Sequence, residues 1–290
     1  GTAADKLSLN DITLWTGEPE SRADHVDMEL YPGLTRWGEA ARYIDSIRMA
    51  LDAEDYRKAE RLQRKVQGHY SENYQPLGTL TIRYPEAEIS EYNRELDISE
   101  AVARVSYLRD GKSFSTEYFA SAPDSVIVVR IKSAQPVDAE LVLDYPHPHE
   151  AVYDDGRITV DGYVAYHSYP NYFRTRHERF MYSPDRGIHY RTILLAECDG
   201  RTETDGKSLS LKGVKEAVIR IVNSTSFNGF DHDPVKEGLP YRELADANAV
   251  RVCGKNFDEI RKNHVADYKS FFDRLTINLG KTDPGIKALP

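Results

Sequence analysis

Two cysteines in 290 residues are too few for a disulfide scaffold. Cys198 and Cys253 stand far apart with no metal-ligand spacing around them, so both read as small unbridged thiols. Long apolar runs are missing as well, and none approaches the roughly 20 residues that a membrane-spanning helix needs. Basic residues are the minority, 38 Lys and Arg against 47 Asp and Glu, for a formal net charge of −9. They form no cluster, so a surface that tracks nucleic-acid phosphates is not expected. The opening residues GTAADKLSLN lack the basic start and apolar middle of a signal peptide. No G-x-S-x-G, phosphate-binding glycine loop or H-E-x-x-H occurs, which leaves those chemistries without local support. Internal repeats and low-complexity tracts are also lacking.

What is present is a dense series of strand and turn signals. Five Asp-Gly pairs begin at Asp110, Asp155, Asp161, Asp199 and Asp205, several of them between alternating or apolar runs. That dipeptide suits a tight hairpin turn, whose central positions need positive φ. VARVSYLRDGKSFSTEYFAS and EAVYDDGRITVDGY read as hairpins. GTLTIRYP, SVIVVRIKS, AELVLDY, IHYRTILLAE, KSLSLKG and AVIRIV read as six further strands, rich in β-branched and aromatic residues, and LTINLG as a last short one. Together they predict a mainly β, antiparallel sandwich.

Two regions carry helical periodicity instead. Between about residues 38 and 67, Ala40, Tyr43, Ile44, Ile47 and Leu51, then Tyr56, Ala59, Leu62 and Val66, recur at three and four, predicting a two-helix insertion. Near residues 256–273, Asn256 with Glu259 resembles a capping box, and Phe257, Ile260, His264, Tyr268, Phe271 and Phe272 mark one helix face. The start, almost inside a structured segment, and the Pro/Gly-containing end KTDPGIKALP read as those of a piece of a longer protein.

Three stretches place aromatic and amide groups together at turns: NDITLWTGEP, HYSENYQPLG and STSFNGFDHDP. Their Trp15, Tyr70, Tyr74, Phe227 and Phe230, with Asn10, Asn73, Gln75 and Asn228, supply flat faces and bidentate polar groups suited to a sugar. The same residues would equally close a sandwich core. His147 and His149 in HPH have a metal-like spacing, which a Pro-rich strand end explains as well; no metal and no cofactor is expected. Asn223-Ser224-Thr225 fits the glycosylation acceptor pattern, which three residues match easily by chance.

The order of NDITLWTGEP, the two-helix region, YQPLGTLTIRYP, YNRELDISEAVARVSYLRDGKSFSTEYFASAPDSVIVVRI, STSFNGFDHDP and HVADYKSFFDRLTINLG resembles the N-terminal domain of glycoside hydrolase family 95. These are the inverting α-L-fucosidases, with a related L-galactosidase activity. The resemblance implies a galactose-mutarotase-like supersandwich over residues 1–280, with a linker starting at 281–290. It further implies an (α/α)6 barrel that carries the catalytic groups outside this chain. The family's usual glycine-rich strand before NDITLW is missing, so the first sheet is expected to lack a strand. No catalytic residue is then expected here. The residues expected to face sugar or barrel are Trp15, His69, Tyr74, Gln75, Phe227, Asn228, Phe230 and Asp231. Partners would be the barrel and a glycan at the domain border, in a periplasmic or secreted setting. The alternatives are an independent carbohydrate-binding module and, resting on HPH, a mutarotase-like enzyme.

Overall fold

The computed structural model describes residues 4–19, 40–66, 71–172 and 178–287. Its strands are β1 (Ala4–Leu9), β2 (Gly78–Arg83), β3 (Ile89–Asp97), β4 (Val102–Arg109), β5 (Lys112–Ser121), β6 (Val126–Asp144) and β7 (His149–Asp154). They continue with β8 (Arg157–Tyr163), β9 (His167–Ser168), β10 (Phe180–Met181), β11 (His189–Cys198), β12 (Arg201–Thr204) and β13 (Leu209–Thr225). Every recorded pairing is antiparallel, as the hairpin signals predict. β4 and β5 close at Arg109 opposite Lys112. The two turn residues, Asp110 at φ 49° and Gly111 at φ 72°, meet the positive-φ demand of this turn. The Asp155-Gly156 turn closes β7 and β8, whereas Asp161-Gly162 lies inside β8 and turns nothing.

Two strands are longer than the sequence suggests. SVIVVRIKS and AELVLDY are one strand, β6, and KSLSLKG and AVIRIV are one strand, β13. Pro136 and Gly213 look like terminators but mark a shared corner. β6 pairs with β5 along 126–133 and with β2 along 140–144, and β13 passes from β12 to β11 beside it. The β6–β13 register slips at Val214, and Gly213 sits there at φ 65°. Pro136 falls between the two ladders on β6, where its missing N–H disrupts neither. Strands that bend through a corner in this way join two sheets into a sandwich.

A mixed cluster fills the space between the sheets. Leu80, Ile82, Leu141 and Leu211 come from the β1–β2–β12 side, and Tyr107, Phe114, Ile131, Ile158, Leu194 and Ile219 from the larger sheet. The larger sheet is covered on its outer face too, by α3 (Tyr241–Cys253) and α4 (Phe257–Phe272). Along β13, Ala217, Ile219 and Ile221 point inward, while Val218 and Val222 meet Ala245, Ala249, Val252, Phe257 and Ile260. Burial on both faces is why AVIRIV is nearly continuous in apolar residues. Each large side chain so buried contributes roughly 1.5–3 kcal/mol.

The insertion forms α1 (Ile44–Asp52) and α2 (Tyr56–Gln63), packed on each other and capped at Asp55, which accepts from Lys58 N. Their apolar faces are only partly covered, with Ile44 41%, Leu51 47% and Tyr56 65% exposed. In α4, Asn256 accepts from Glu259 N at 2.9 Å, and Phe257, Ile260 and His264 are buried as expected. Phe271 is 64% exposed, since the last turns reach past the sheet. LTINLG is not a strand: among the described residues no edge pairs with it, and Leu275, Ile277 and Leu279 are exposed. Residues 284–287 form a short helical turn, α5. Cys198 is half-buried and Cys253 exposed, and both are free thiols.

Candidate functional site

Two of the three aromatic stretches, and the start of the third, meet near the end of β13. Asp11 shapes the chain after β1, accepting from Thr13 N at 2.9 Å and Thr13 Oγ1 at 2.7 Å, and buried Leu14 anchors it. Trp15 forms an isolated bridge with Tyr74. Their rings meet edge to face at 5.6 Å, and Trp15 Nε1 donates to Ile12 O at 2.9 Å. Both rings are partly open, at 44% and 40%, with Ile12 beside them at 85%. Burial, and the charge of Asp11, push the Tyr74 hydroxyl pKa up. Gln75 is not a surface group: it is buried, and its amide donates to Tyr74 O at 3.2 Å.

A short hydroxyl–hydroxyl contact ties this segment to the third stretch, 2.6 Å between Thr13 Oγ1 and Thr225 Oγ1. Asn223 lies alongside, donating to Asp11 Oδ2 and accepting from Thr192 Oγ1, both at 2.7 Å. An amide held on both sides in a strand is a poor glycosylation acceptor. The loop that follows is tied at its neck, where Ser226 N donates to His189 O and Leu239 N to Ser226 O. Inside it, Asp233 accepts from the backbone of Val235 and Lys236, and Asn228 Nδ2 donates to Glu237 O at 2.8 Å.

The two phenylalanines therefore divide their roles. Phe227 packs against the core, while Phe230 stands at the tip, 88% exposed. Asn228 serves the loop, and Asp231 pairs with its neighbour His232 at 3.0 Å. His69 lies outside the described residues.

The structure adds a polar group that sequence reading did not single out. Glu72 receives Thr16 Oγ1 and lies 2.9 Å from His167 Nδ1, and Asn73 Nδ2 donates to Ser168 Oγ. Glu72 sits within HYSENYQPLG, but His167 is 95 residues away, and no spacing signals such a pair. In the HPH motif both imidazoles face backbone carbonyls. His147 is buried, with Nε2 at 2.8 Å from Pro76 O and Nδ1 at 3.3 Å from Tyr182 Oη. Burial lowers its pKa, partly offset by the Pro76 carbonyl. His149 Nδ1 is turned toward His147 O at 2.7 Å. Among the described residues no three His, Cys, Asp or Glu side chains are grouped to hold a metal ion. The arrangement suits stacking and hydrogen bonding.

Comparison with known proteins places the chain among glycoside hydrolase relatives. The chain is 26% identical to Alpha-L-fucosidase 2 of Arabidopsis thaliana over 294 aligned residues, covering 96% of this chain and 33% of that protein. It thus spans a third of the length of the curated relative it matches. A solved structure described as "Putative kojibiose phosphorylase from human microbiome" superposes with a TM-score of 0.43 at 10% identity, over 69% of this chain and 29% of that one. The sequence model that matches, over residues 1–229, is that of the glycosyl hydrolase family 65 N-terminal domain rather than one of family 95. That match covers most of the 290 residues, and the chain belongs to the family of glycosyl hydrolase family 65 N-terminal domains.

Proposed function

We propose that the chain is the non-catalytic N-terminal domain of a glycoside hydrolase of the family 95 type. Its parent would hydrolyse terminal α-L-fucosyl or L-galactosyl linkages with inversion. One observation carries the reading: similarity to a fucosidase extends over 96% of this chain yet only 33% of that protein, leaving two thirds of the relative's length for the chemistry. Inversion needs a proton donor and an activated water on opposite faces of one sugar ring. Those groups belong to an (α/α)6 barrel outside this chain. The end bearing Trp15, Tyr74 and Phe230 rests against that barrel or borders its substrate.

The purified chain should release no fucose from fucosylated oligosaccharides, and measurable release, free of contaminating hydrolase, would overturn the reading. Phe230→Ala is the cleaner probe in the parent enzyme. The ring is exposed here, so the isolated chain should melt unchanged, while an interface or substrate contact would lower the parent's melting temperature or its kcat/KM. An independent carbohydrate-binding module remains a second reading, favoured by the same open rings. It requires the isolated chain to bind glycans through Trp15 and Phe230.

A further inference from the structure

Away from the Trp15–Tyr74 pair, a cleft of about 350 Å³ opens between the start of α3 and the ends of β7, β8 and β11. It falls within the range of about 300–1,000 Å³ typical of small-molecule pockets. Three half-exposed rings follow one another along it. Tyr163 lies 5.5 Å from His189 and His189 lies 6.1 Å from Tyr241, centroid to centroid, with tilts of 32° and 40°. Both His189 nitrogens face backbone carbonyls, Gly187 O at 3.2 Å and Pro184 O at 3.0 Å. The imidazole thus offers the cleft its carbon surface and no free polar edge.

The polar groups complement those rings. Glu150 is exposed on the edge strand β7. Arg242, also exposed, lies over one face of Tyr241 at 5.4 Å from the ring centroid and reaches Asp161 through Nε only at 3.5 Å, so its terminal nitrogens can turn to a ligand on the open side of the ring. His149 donates through Nδ1 to a carbonyl, so its Nε2 is an acceptor. The remaining charges neutralise one another: Arg191 holds Asp161 at 2.7 Å and Asp246 at 2.7 Å, and Arg157 holds Asp246 at 2.8 Å. An anionic ligand would meet Glu150 without a free cation in excess.

We propose that this cleft binds a neutral pyranose, one C–H face on the Tyr163–His189–Tyr241 rings. Glu150 accepts from adjacent hydroxyls and Arg242 donates to a ring or hydroxyl oxygen. The cleft adjoins the neck of the Phe230 loop, where His189 N donates to Ser226 Oγ at 3.0 Å, but Trp15, Tyr74 and Phe230 do not line it, and only the choice of sugar rests on the glycoside hydrolase reading.

Saturation-transfer NMR on the purified chain tests it, with methyl α-L-fucopyranoside, methyl β-D-galactopyranoside and D-glucuronate as probes at millimolar concentration. Transfer to ring C–H protons of at least one neutral glycoside is expected. It should be about tenfold weaker in Tyr241→Ala and weakened in Glu150→Gln, but unchanged in Phe230→Ala. Glu150 is an exposed side chain on an edge strand, so its variant stays folded and keeps the test decisive if Tyr241→Ala does not. No transfer from either neutral glycoside, equal transfer in Glu150→Gln, or a preference for glucuronate would overturn the proposal. Failure here leaves the fucosidase-type reading of the parent intact. Conversely, a parent inactive on fucosides would not abolish the Glu150 dependence.

Discussion

Asp124 shows how much one side chain can hold. It is fully buried in the turn between β5 and β6 and gathers Lys255 Nζ at 2.6 Å, Ser121 Oγ at 3.0 Å and Asn263 Nδ2 at 3.3 Å. Arg251 donates to its backbone carbonyl at 2.7 Å. Burial alone would raise the carboxyl pKa, but the hydrogen bonds from Lys255, Ser121 and Asn263 prevail and hold it below the usual range. A depressed carboxyl contributes stability that is present above the unfolded pKa of about 4 and lost as pH falls through the lower native value. Asp124→Asn takes the carboxylate from the half-buried Lys255 ammonium and should destabilise the chain by about 3 kcal/mol. The melting temperature at neutral pH should drop by roughly 6–12 °C. Below pH 3 the gap between variant and parent melting curves should narrow; a constant gap would mean that Asp124 acts by packing and not by charge. Arg220, buried inside AVIRIV, follows the same logic on the outer face, donating to Glu197 Oε2 at 2.8 Å and Lys255 O at 3.3 Å. A strand reading of that hexapeptide is right, yet no local signal announces that its arginine is covered by a helix pair.

At the scale of elements, α4 depends on its first turn. Asn256→Ala removes the acceptor for Glu259 N and should destabilise by about 1 kcal/mol. Amide exchange should accelerate most in residues 257–260, and uniform acceleration along α4 would count against a capping role. Elements with strong local chemistry were legible: the Asp110-Gly111 hairpin, the Asn256 cap and the paired insertion helices. α3 was not, because its buried face is Ala245, Ala249 and Val252, small side chains whose helical spacing gives little hydrophobic contrast. β3 was missed for the opposite reason. As an edge strand it is almost wholly exposed, so the alternation that marks a half-buried strand is absent. LTINLG has that alternation but no edge to join. The aromatic end was legible in composition: Trp15 and Tyr74 do meet. Burial of Gln75, core packing of Phe227 and the Glu72–His167 contact depend on segments brought together from far along the chain.

The whole molecule is a sandwich with one outer face covered by helices and with apolar groups left open where α4 ends. Leu275, Ile277 and Leu279 are 73%, 75% and 96% exposed, an alternation suited to an added strand or an apolar groove. Replacing all three by Ser should leave the chain's melting temperature within about 1 kcal/mol equivalent of the parent, since nothing is lost from the core. Sedimentation velocity at high concentration should show less self-association than the unmodified chain. A large loss of stability would mean that this segment packs against the sandwich. The corner at Pro136 and Gly213 carries a consequence for exchange with solvent. β6 and β13 belong to both sheets, so neither sheet can peel away while the other stays shut. Amides along 126–133 and 217–222 should therefore exchange with deuterium only through global opening, with one common denaturant dependence. Those of β3 and the insertion helices should exchange independently, orders of magnitude sooner.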